Sequence, residues 1–381
     1  MAYFDNAATT FPKPEIVYSE MDRFYRSNGA SAGRGSYEKA ATAGQMVSDT
    51  RKRIKSLLKC PAKQVVFTPT ATIALNIIIQ GLMTGKRKTV YISPLEHNAV
   101  TRTLHNLERA GAVTVIQLAL TKRLHYDVGS IEAQFQNCPP DILIMSHASN
   151  VCGLIAPVEN LSVIGKQYGA TVIIDMAQTA GLVSCNIGLE TIDYAVFAGH
   201  KTLYGPTGIS GFVMKPEAQL KPILFGGTGF ESANQDMPSS IPERFEMGTL
   251  NSVGIAGLNA ALRWIEDTGI ENIRIREQEN RQRLLNLLDK YSFIHLVGIY
   301  DENDYVGVVS ALIDDISSDS CGSLFDRLGV SVRTGLQCAP LAHKFLGTYP
   351  AGTVRFSVSY FTADEDFAEL EEALNYIEDN I

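Results

Sequence analysis

Up to Met214 the chain carries seven short apolar runs rich in β-branched residues: Val65-Val66-Phe67, Thr89-Val90-Tyr91-Ile92, Val113-Thr114-Val115-Ile116, Ile142-Leu143-Ile144-Met145, Thr171-Val172-Ile173-Ile174, Tyr194-Ala195-Val196-Phe197 and Gly211-Phe212-Val213-Met214. A strand with one wet face alternates polar and apolar residues. These runs are close to continuous, so both faces of their sheet must be covered. Helix-length segments separate all but the last pair, long enough for the crossovers that parallel strands need. The predicted architecture is α/β: a mostly parallel central sheet with helices on both faces.

Beyond Gly254 the pattern changes. A helical periodicity runs from there past Trp264 to about Leu288, apolar at first and highly charged from Arg274 to Asp289. It reads as the link to a smaller C-terminal α+β domain, with Val308 to Ile313 as a strand and Asp364 to Ile377 as a terminal amphipathic helix. With 381 residues the chain is long enough for two cores. The expected organisation is an N-terminal segment 1–13 packing near the active site, a large domain 14–255 and a small domain 256–381.

A formal net charge of −8 argues against nucleic acid or an anionic membrane as the main partner. No apolar run approaches the roughly 18–20 residues that span a bilayer. The start, Met1-Ala2-Tyr3-Phe4-Asp5, lacks the basic and apolar regions of a secretory signal. The six cysteines show no CxxC spacing, which fits reduced thiols in a cytoplasm rather than a disulfide framework or a metal site.

Open α/β sheets bind ligands outside the carboxyl ends of their strands. Thr68-Pro69-Thr70-Ala71-Thr72 follows the first run and opens a helix, which suits a phosphate or ordinary capping by Thr70 or Thr72. Glu96-His97-Asn98 follows the second run and Ser146 to Asn150 the fourth. Asp175 closes the fifth; a carboxylate there is expensive unless it has a cationic or N–H partner. Ala198-Gly199-His200-Lys201 follows the sixth and precedes a turn with two glycines, Tyr204 to Gly208. Taken singly, His97 reads as a packed or solvated residue and Lys201 as a surface lysine. Taken together, an acid and a lysine at neighbouring strand ends are what pyridoxal phosphate requires, one for its pyridinium nitrogen and one for its Schiff base.

Further motifs extend the pattern over almost the whole chain: Tyr3 to Thr10 at the start, Ala74-Leu75-Asn76, Ser149-Asn150-Val151-Cys152-Gly153, Asp175-Met176-Ala177-Gln178, Arg244 to Asn251, Arg333-Thr334-Gly335-Leu336-Gln337-Cys338-Ala339-Pro340 and Gly352 to Ser357. In these the chain resembles the class V, aminotransferase-fold (fold type I) pyridoxal-phosphate enzymes of the cysteine desulfurase and selenocysteine lyase family. The short cysteine loop resembles that of the family's second group. The resemblance implies Ala71 and Thr72 at the cofactor phosphate, with His200 beside them. It implies His97 stacked on the ring, Asn150 and Gln178 near the ring oxygen, Asp175 at the ring nitrogen and Lys201 as the Schiff-base lysine. It implies Thr249 reaching the phosphate of a neighbouring subunit, hence a homodimer. Ala8, Asn150, Arg333 and Arg355 are the implied substrate contacts, although Arg355 also reads as a structural ion pair. Cys338 is the implied sulfur acceptor, with L-cysteine or selenocysteine as substrate, alanine as product and a sulfur-acceptor protein as a further partner.

The chain departs from the family's usual pattern at four positions. Thr70 stands where relatives have Gly, and Ile73 where they have Glu. Ala198 replaces a hydroxyl residue, shifting the phosphate onto Thr72, His200 and Thr249. Gln337 replaces a histidine, and glutamine does not titrate. A class V transaminase or β-lyase acting on another sulfur amino acid is the alternative on the same scaffold. A non-catalytic sulfur-carrier scaffold is the reading from a different class.

Overall fold

The computed structural model describes residues 1–32, 35 and 37–380. All seven runs form strands of one sheet. From edge to edge its order is Gln64–Thr68, Ser210–Met214, Tyr194–Ala198, Thr171–Asp175, Ile142–Ser146, Lys88–Ile92 and Val113–Gln117. Ser210–Met214 runs antiparallel to both neighbours, and every other pairing is parallel.

The near-continuous apolar pattern divides by parity between two cores. Phe67, Leu143, Met145, Val172, Ile174, Ala195, Phe197 and Val213 face one; Val66, Ile142, Ile144, Ile173, Tyr194, Val196, Phe212 and Met214 face the other. Each such side chain, fully buried, contributes about 1.5–3 kcal/mol of transfer free energy. Losing either helical layer would expose half of every strand.

The strand Lys88–Ile92 lies between the strand that follows it and Ile142–Ser146. The chain therefore leaves it in one direction and returns on its other side. This is the reversal of strand order at which open α/β sheets form a crevice. The loops carrying His97 and Asn150 flank that crevice.

The smaller domain has a four-stranded antiparallel sheet in the order Arg333–Gly335, Thr353–Ser357, Val308–Ile313, Ile294–Val297, with a core that includes Phe325, Phe356, Leu370 and Leu374. The N-terminus belongs with it. Ala2–Tyr3 pairs with Val330–Ser331, and Phe4 packs edge-on against Phe356 and Phe367. From there the chain runs back to the large domain.

The single long helix expected over Gly254 to Leu288 is instead two, Ser252–Thr268 and Ile270–Leu288. Gly269 divides them, ending one and starting the other at φ +85°, a conformation that glycine adopts without a Cβ penalty. Ile255, Leu258, Leu262 and Ile265 pack in the same core as one face of the central sheet. The change of core comes within the second helix, between Ile273 and Leu284.

Candidate active site

The carboxyl ends of the parallel strands enclose a cavity of about 220 Å³, lined among others by Thr70, Ala71, Thr72, His97, Asn150, Asp175, Gln178, Ala198, His200 and Lys201. It adjoins a second cavity of about 420 Å³ that shares Thr72, His97 and Ala99 and includes Arg102 and Cys338. Most of the residues singled out from sequence thus meet in one place. Ala8, Arg333 and Arg355 lie behind or beside it, and Thr249 lies apart.

Lys201 is carried by a tight turn. Gly199 N–H donates to Ile209 O at 3.1 Å, and Gly205 N–H to Gly199 O at 2.7 Å. A Cβ on Gly199 would stand 2.3 Å from that Ile209 oxygen, so only glycine lets the backbone approach. The N-terminal segment buttresses the turn from behind. The His200 carbonyl accepts from Thr10 N–H (3.2 Å), the Thr9 hydroxyl (3.0 Å) and Lys13 Nζ (2.6 Å). Burial pushes the Lys201 amine down from 10.5 to about 8, with Asp175 opposing and Arg355 adding to the shift.

Asp175 is buried, and its carboxylate accepts one hydrogen bond, from Ala177 N–H at 2.9 Å. Burial raises its pKa, and the Ala177 N–H and the Lys201 charge oppose that rise. His97 caps the helix Asn98–Arg109: its Nδ1 accepts from Ala99 N–H at 3.0 Å, which leaves the proton of the neutral ring on Nε2. Burial, with the nearby Lys201 and Arg355 charges, pushes this imidazole down to about 4. His200 is pushed down likewise, and its Nδ1 is buried with no hydrogen-bond partner.

The helix Ala71–Gly81 points its N-terminus at the cavity. Thr70 caps it by accepting from Ile73 N–H at 3.2 Å. The cap takes the third N–H of the helix. The Ala71 and Thr72 N–H groups have no intrahelical acceptor and can serve an anion.

Arg355 is 3% exposed. Its Nη1 donates to Asn150 O at 2.9 Å and its Nη2 to Asp5 Oδ1 at 2.7 Å, while its buried Nε has no partner. Arg333 is half-exposed, 3.8 Å from the other Asp5 oxygen. Gln178 Nε2 donates to Ala7 O at 2.9 Å, and Ala8 sits in the turn that follows Asp5. Cys338 is exposed at the mouth, near enough to Lys201 and Arg355 to bear on their charge. Asn150 Nδ2 donates to Gln337 O at 2.7 Å, fastening the cysteine loop to the large domain. Thr249 is exposed in a separate cavity with Arg51, Phe230 and Glu246, so nothing brings it to the first cavity within one chain.

Sequence reasoning assigned no role to Asp5, Lys13 or Glu96. Asp5 lay inside the opening motif without an evident counterion, because Arg355 is 350 positions away. Lys13 is half-buried, with no carboxylate partner among the described residues, and burial pushes it down to about 7. Glu96 is wholly buried, accepts from Ser146 N–H (2.6 Å) and its hydroxyl (2.8 Å), and burial raises it to about 8. Its signal was the adjacency to His97. No cluster of three or more metal-ligating side chains occurs among the described residues, and none of their helices is long and apolar enough to cross a membrane.

The chain is similar to a protein of Methanothermobacter thermautotrophicus named "Probable cysteine desulfurase", at 28% identity over 98% of this chain and 94% of the relative. A Xylella fastidiosa protein of the same name is 29% identical, over 98% and 90%. The apo structure of a cysteine desulfurase from Thermococcus onnurineus NA1 superposes with a TM-score of 0.89 at 27% identity, covering all of this chain and 95% of that one. The family description Aminotransferase class-V matches residues 2–370. Across nearly its whole length, therefore, the chain belongs to the class-V aminotransferase family.

Proposed function

We propose that this protein is a pyridoxal-phosphate-dependent cysteine desulfurase, which converts L-cysteine to L-alanine and leaves the sulfur as a persulfide on Cys338. The observation that carries the reading is one juxtaposition. A buried lysine and a buried acid share a cavity, and an exposed cysteine stands at its mouth.

The residues present fit the cofactor. The free N–H groups of Ala71 and Thr72 and the unpartnered Nδ1 of His200 suit its phosphate. Asp175 has a single N–H partner and suits a protonated ring nitrogen. The Lys201 amine, at about 8, is partly free at neutral pH and suits an aldehyde. The His97 imidazole, neutral, offers a flat face beside them. Bound there, the cofactor supplies an electron sink that makes the substrate Cα–H acidic and its sulfur electrophilic.

The protein's own residues do the rest. Arg355, with Nε still free, takes the substrate carboxylate, and Asp5 and Asn150 hold the guanidinium in place. Lys201 Nζ takes the Cα proton and returns a proton to what becomes the alanine methyl side. The Cys338 thiolate attacks the substrate sulfur; the carbon–sulfur bond breaks and a sulfur–sulfur bond forms. L-Cysteine and the Cys338 thiol thus become L-alanine and the Cys338 persulfide, with no outside oxidant.

Thr249 enters this reading only across a subunit boundary, which makes the working unit a homodimer with Thr249 of one copy at the phosphate of the other. A thiol or an acceptor protein then removes the persulfide sulfur. The site gives no ground for separating sulfur from selenium in the substrate, so L-selenocysteine belongs in the same assay.

The test is purified protein, pyridoxal phosphate and L-cysteine, with alanine and protein-bound persulfide counted. The expected result is one persulfide per chain without reductant, and alanine turnover with it. Cys338→Ala should keep the visible cofactor band and form no persulfide. Lys201→Ala should lose the band. Keto-acid production that needs an amino acceptor and ignores alkylation of Cys338 would replace the proposal with a transaminase.

A further inference from the structure

Gln337 precedes Cys338 but does not face the cavity. It is buried, and its side chain turns into the small domain. Nε2 donates to Thr353 O at 2.9 Å. Oε1 accepts from His343 Nε2 at 2.7 Å and lies 3.3 Å from the Thr353 hydroxyl. His343 is fully buried, with Nδ1 2.7 Å from the Thr348 hydroxyl. Burial keeps this imidazole neutral. The Gln337 amide oxygen can only accept, so the neutral ring carries its proton on Nε2 and its Nδ1 accepts from the Thr348 hydroxyl. The chain continues from Thr353 to the Ser310 hydroxyl (3.1 Å) and on to Val151 O (2.7 Å).

The backbone of the same two residues is unusual. Gln337 has φ +38° and Cys338 φ +57°. Successive non-glycine residues in the left-handed region cost about 1–2 kcal/mol each and persist only where the surroundings over-determine them. On the cavity side the carbonyls are tied down. Asn150 Nδ2 donates to Gln337 O and Asn98 N–H donates to Cys338 O, both at 2.7 Å. On the opposite side the Gln337 side chain ties the loop to the small domain.

We propose that Gln337, gripped by His343 and Thr353, is a positioning residue for sulfur transfer: it locks the left-handed loop that presents Cys338 at the mouth of the cavity. The inference rests on the persulfide role of Cys338 and deepens it. It also explains how a glutamine serves where relatives carry a histidine. The side chain at this position reaches a buried carbonyl and a buried imidazole, not the Cys338 sulfur.

Two variants test it. Gln337→Met keeps the length and removes the hydrogen bonds. Misplacing a reacting atom by about 1 Å costs about 10²-fold in rate, so single-turnover persulfide formation on Cys338 should fall about that much. The cysteine concentration that half-saturates the change in the visible band should stay as in the wild type. Gln337→Glu retains the acceptor for His343 but sets a carboxylate against Thr353 O. Only the protonated carboxyl can donate to that carbonyl, so the rate relative to wild type should rise as pH falls from about 8 to about 6. His343 bonds position 337 directly, with Cys338 next in the chain and Arg355 two residues along the strand from Thr353; repeating the ratio in a His343→Gln background separates titration of the new carboxyl from that of the imidazole beside it.

A normal rate in Gln337→Met, or a flat pH ratio in Gln337→Glu, would overturn the proposal while leaving the desulfurase reading intact. So would a rate loss matched by an equal loss of cysteine affinity, which marks general disorder. If the wild type forms no persulfide, the desulfurase reading falls first. Amide hydrogen exchange over residues 336–339 then still decides the clamp, with faster exchange in Gln337→Met supporting it and unchanged exchange refuting it.

Discussion

The position of the Lys201 amine can be tested before any turnover is measured. An ordinary lysine at 10.5 is free amine in about three molecules per ten thousand at pH 7, whereas one held at about 8 is free in about a tenth, a gain of about 300-fold. Only the free amine attacks an aldehyde. Cofactor-free protein mixed with pyridoxal phosphate in a stopped-flow spectrophotometer should therefore capture it about tenfold faster per pH unit up to about pH 8, then level off. Asp175→Asn removes the carboxylate that favours the ammonium, so the plateau should begin at lower pH. Because about a tenth of the amine is already free at pH 7, the gain there has a ceiling of about tenfold. The captured band should then be weaker, with no acid left for the ring nitrogen. The same displacement makes the cofactor-free fold gain stability as pH rises from about 8 towards 10.5, because the unfolded chain keeps its proton longer. A wild-type profile that climbs without a break to pH 10 would refute the burial argument. A profile unmoved by Asp175→Asn would refute the coupling between acid and amine.

Other outcomes follow from the same geometry. Arg355→Lys keeps the charge but loses the fork that bonds Asn150 and Asp5 and, in the proposed function, the substrate carboxylate. KM for cysteine should rise about 10²-fold, equivalent to about 2–3 kcal/mol, in steady-state alanine assays, and an unchanged KM would remove Arg355 from the substrate site. Gly199→Ala drives a Cβ against the Ile209 carbonyl, so thermal unfolding should show about 1–3 kcal/mol of destabilisation. Thr70→Ala removes a helix cap and should cost about 1 kcal/mol by denaturant midpoint; no change would mean that the cap is replaced by solvent.

The strands and the principal cavity residues were legible because both rest on local pattern. Near-continuous apolar runs called for a sheet covered on both faces, and polar residues just past the carboxyl ends of its parallel strands had to meet along one edge of it. The break at Gly269 was less visible, since the apolar and charged stretches on either side shared one helical period and a single glycine carried the signal. Thr249 carried no local signal of its own beyond the resemblance, and the fold of one chain keeps it exposed and away from the cavity.

By itself the sequence determined the strand-forming runs and singled out the lysine, acid, histidine and cysteine that line the two adjoining cavities. Periodicity and strand-end position are properties of short stretches of chain. The tertiary structure alone decided how those groups are charged and held: Asp5 on Arg355, Lys13 and the threonines behind the Lys201 turn, and Gln337 locked to His343 and Thr353. Each of these depends on burial and on partners brought together from remote parts of the chain, and neither leaves a mark in local pattern.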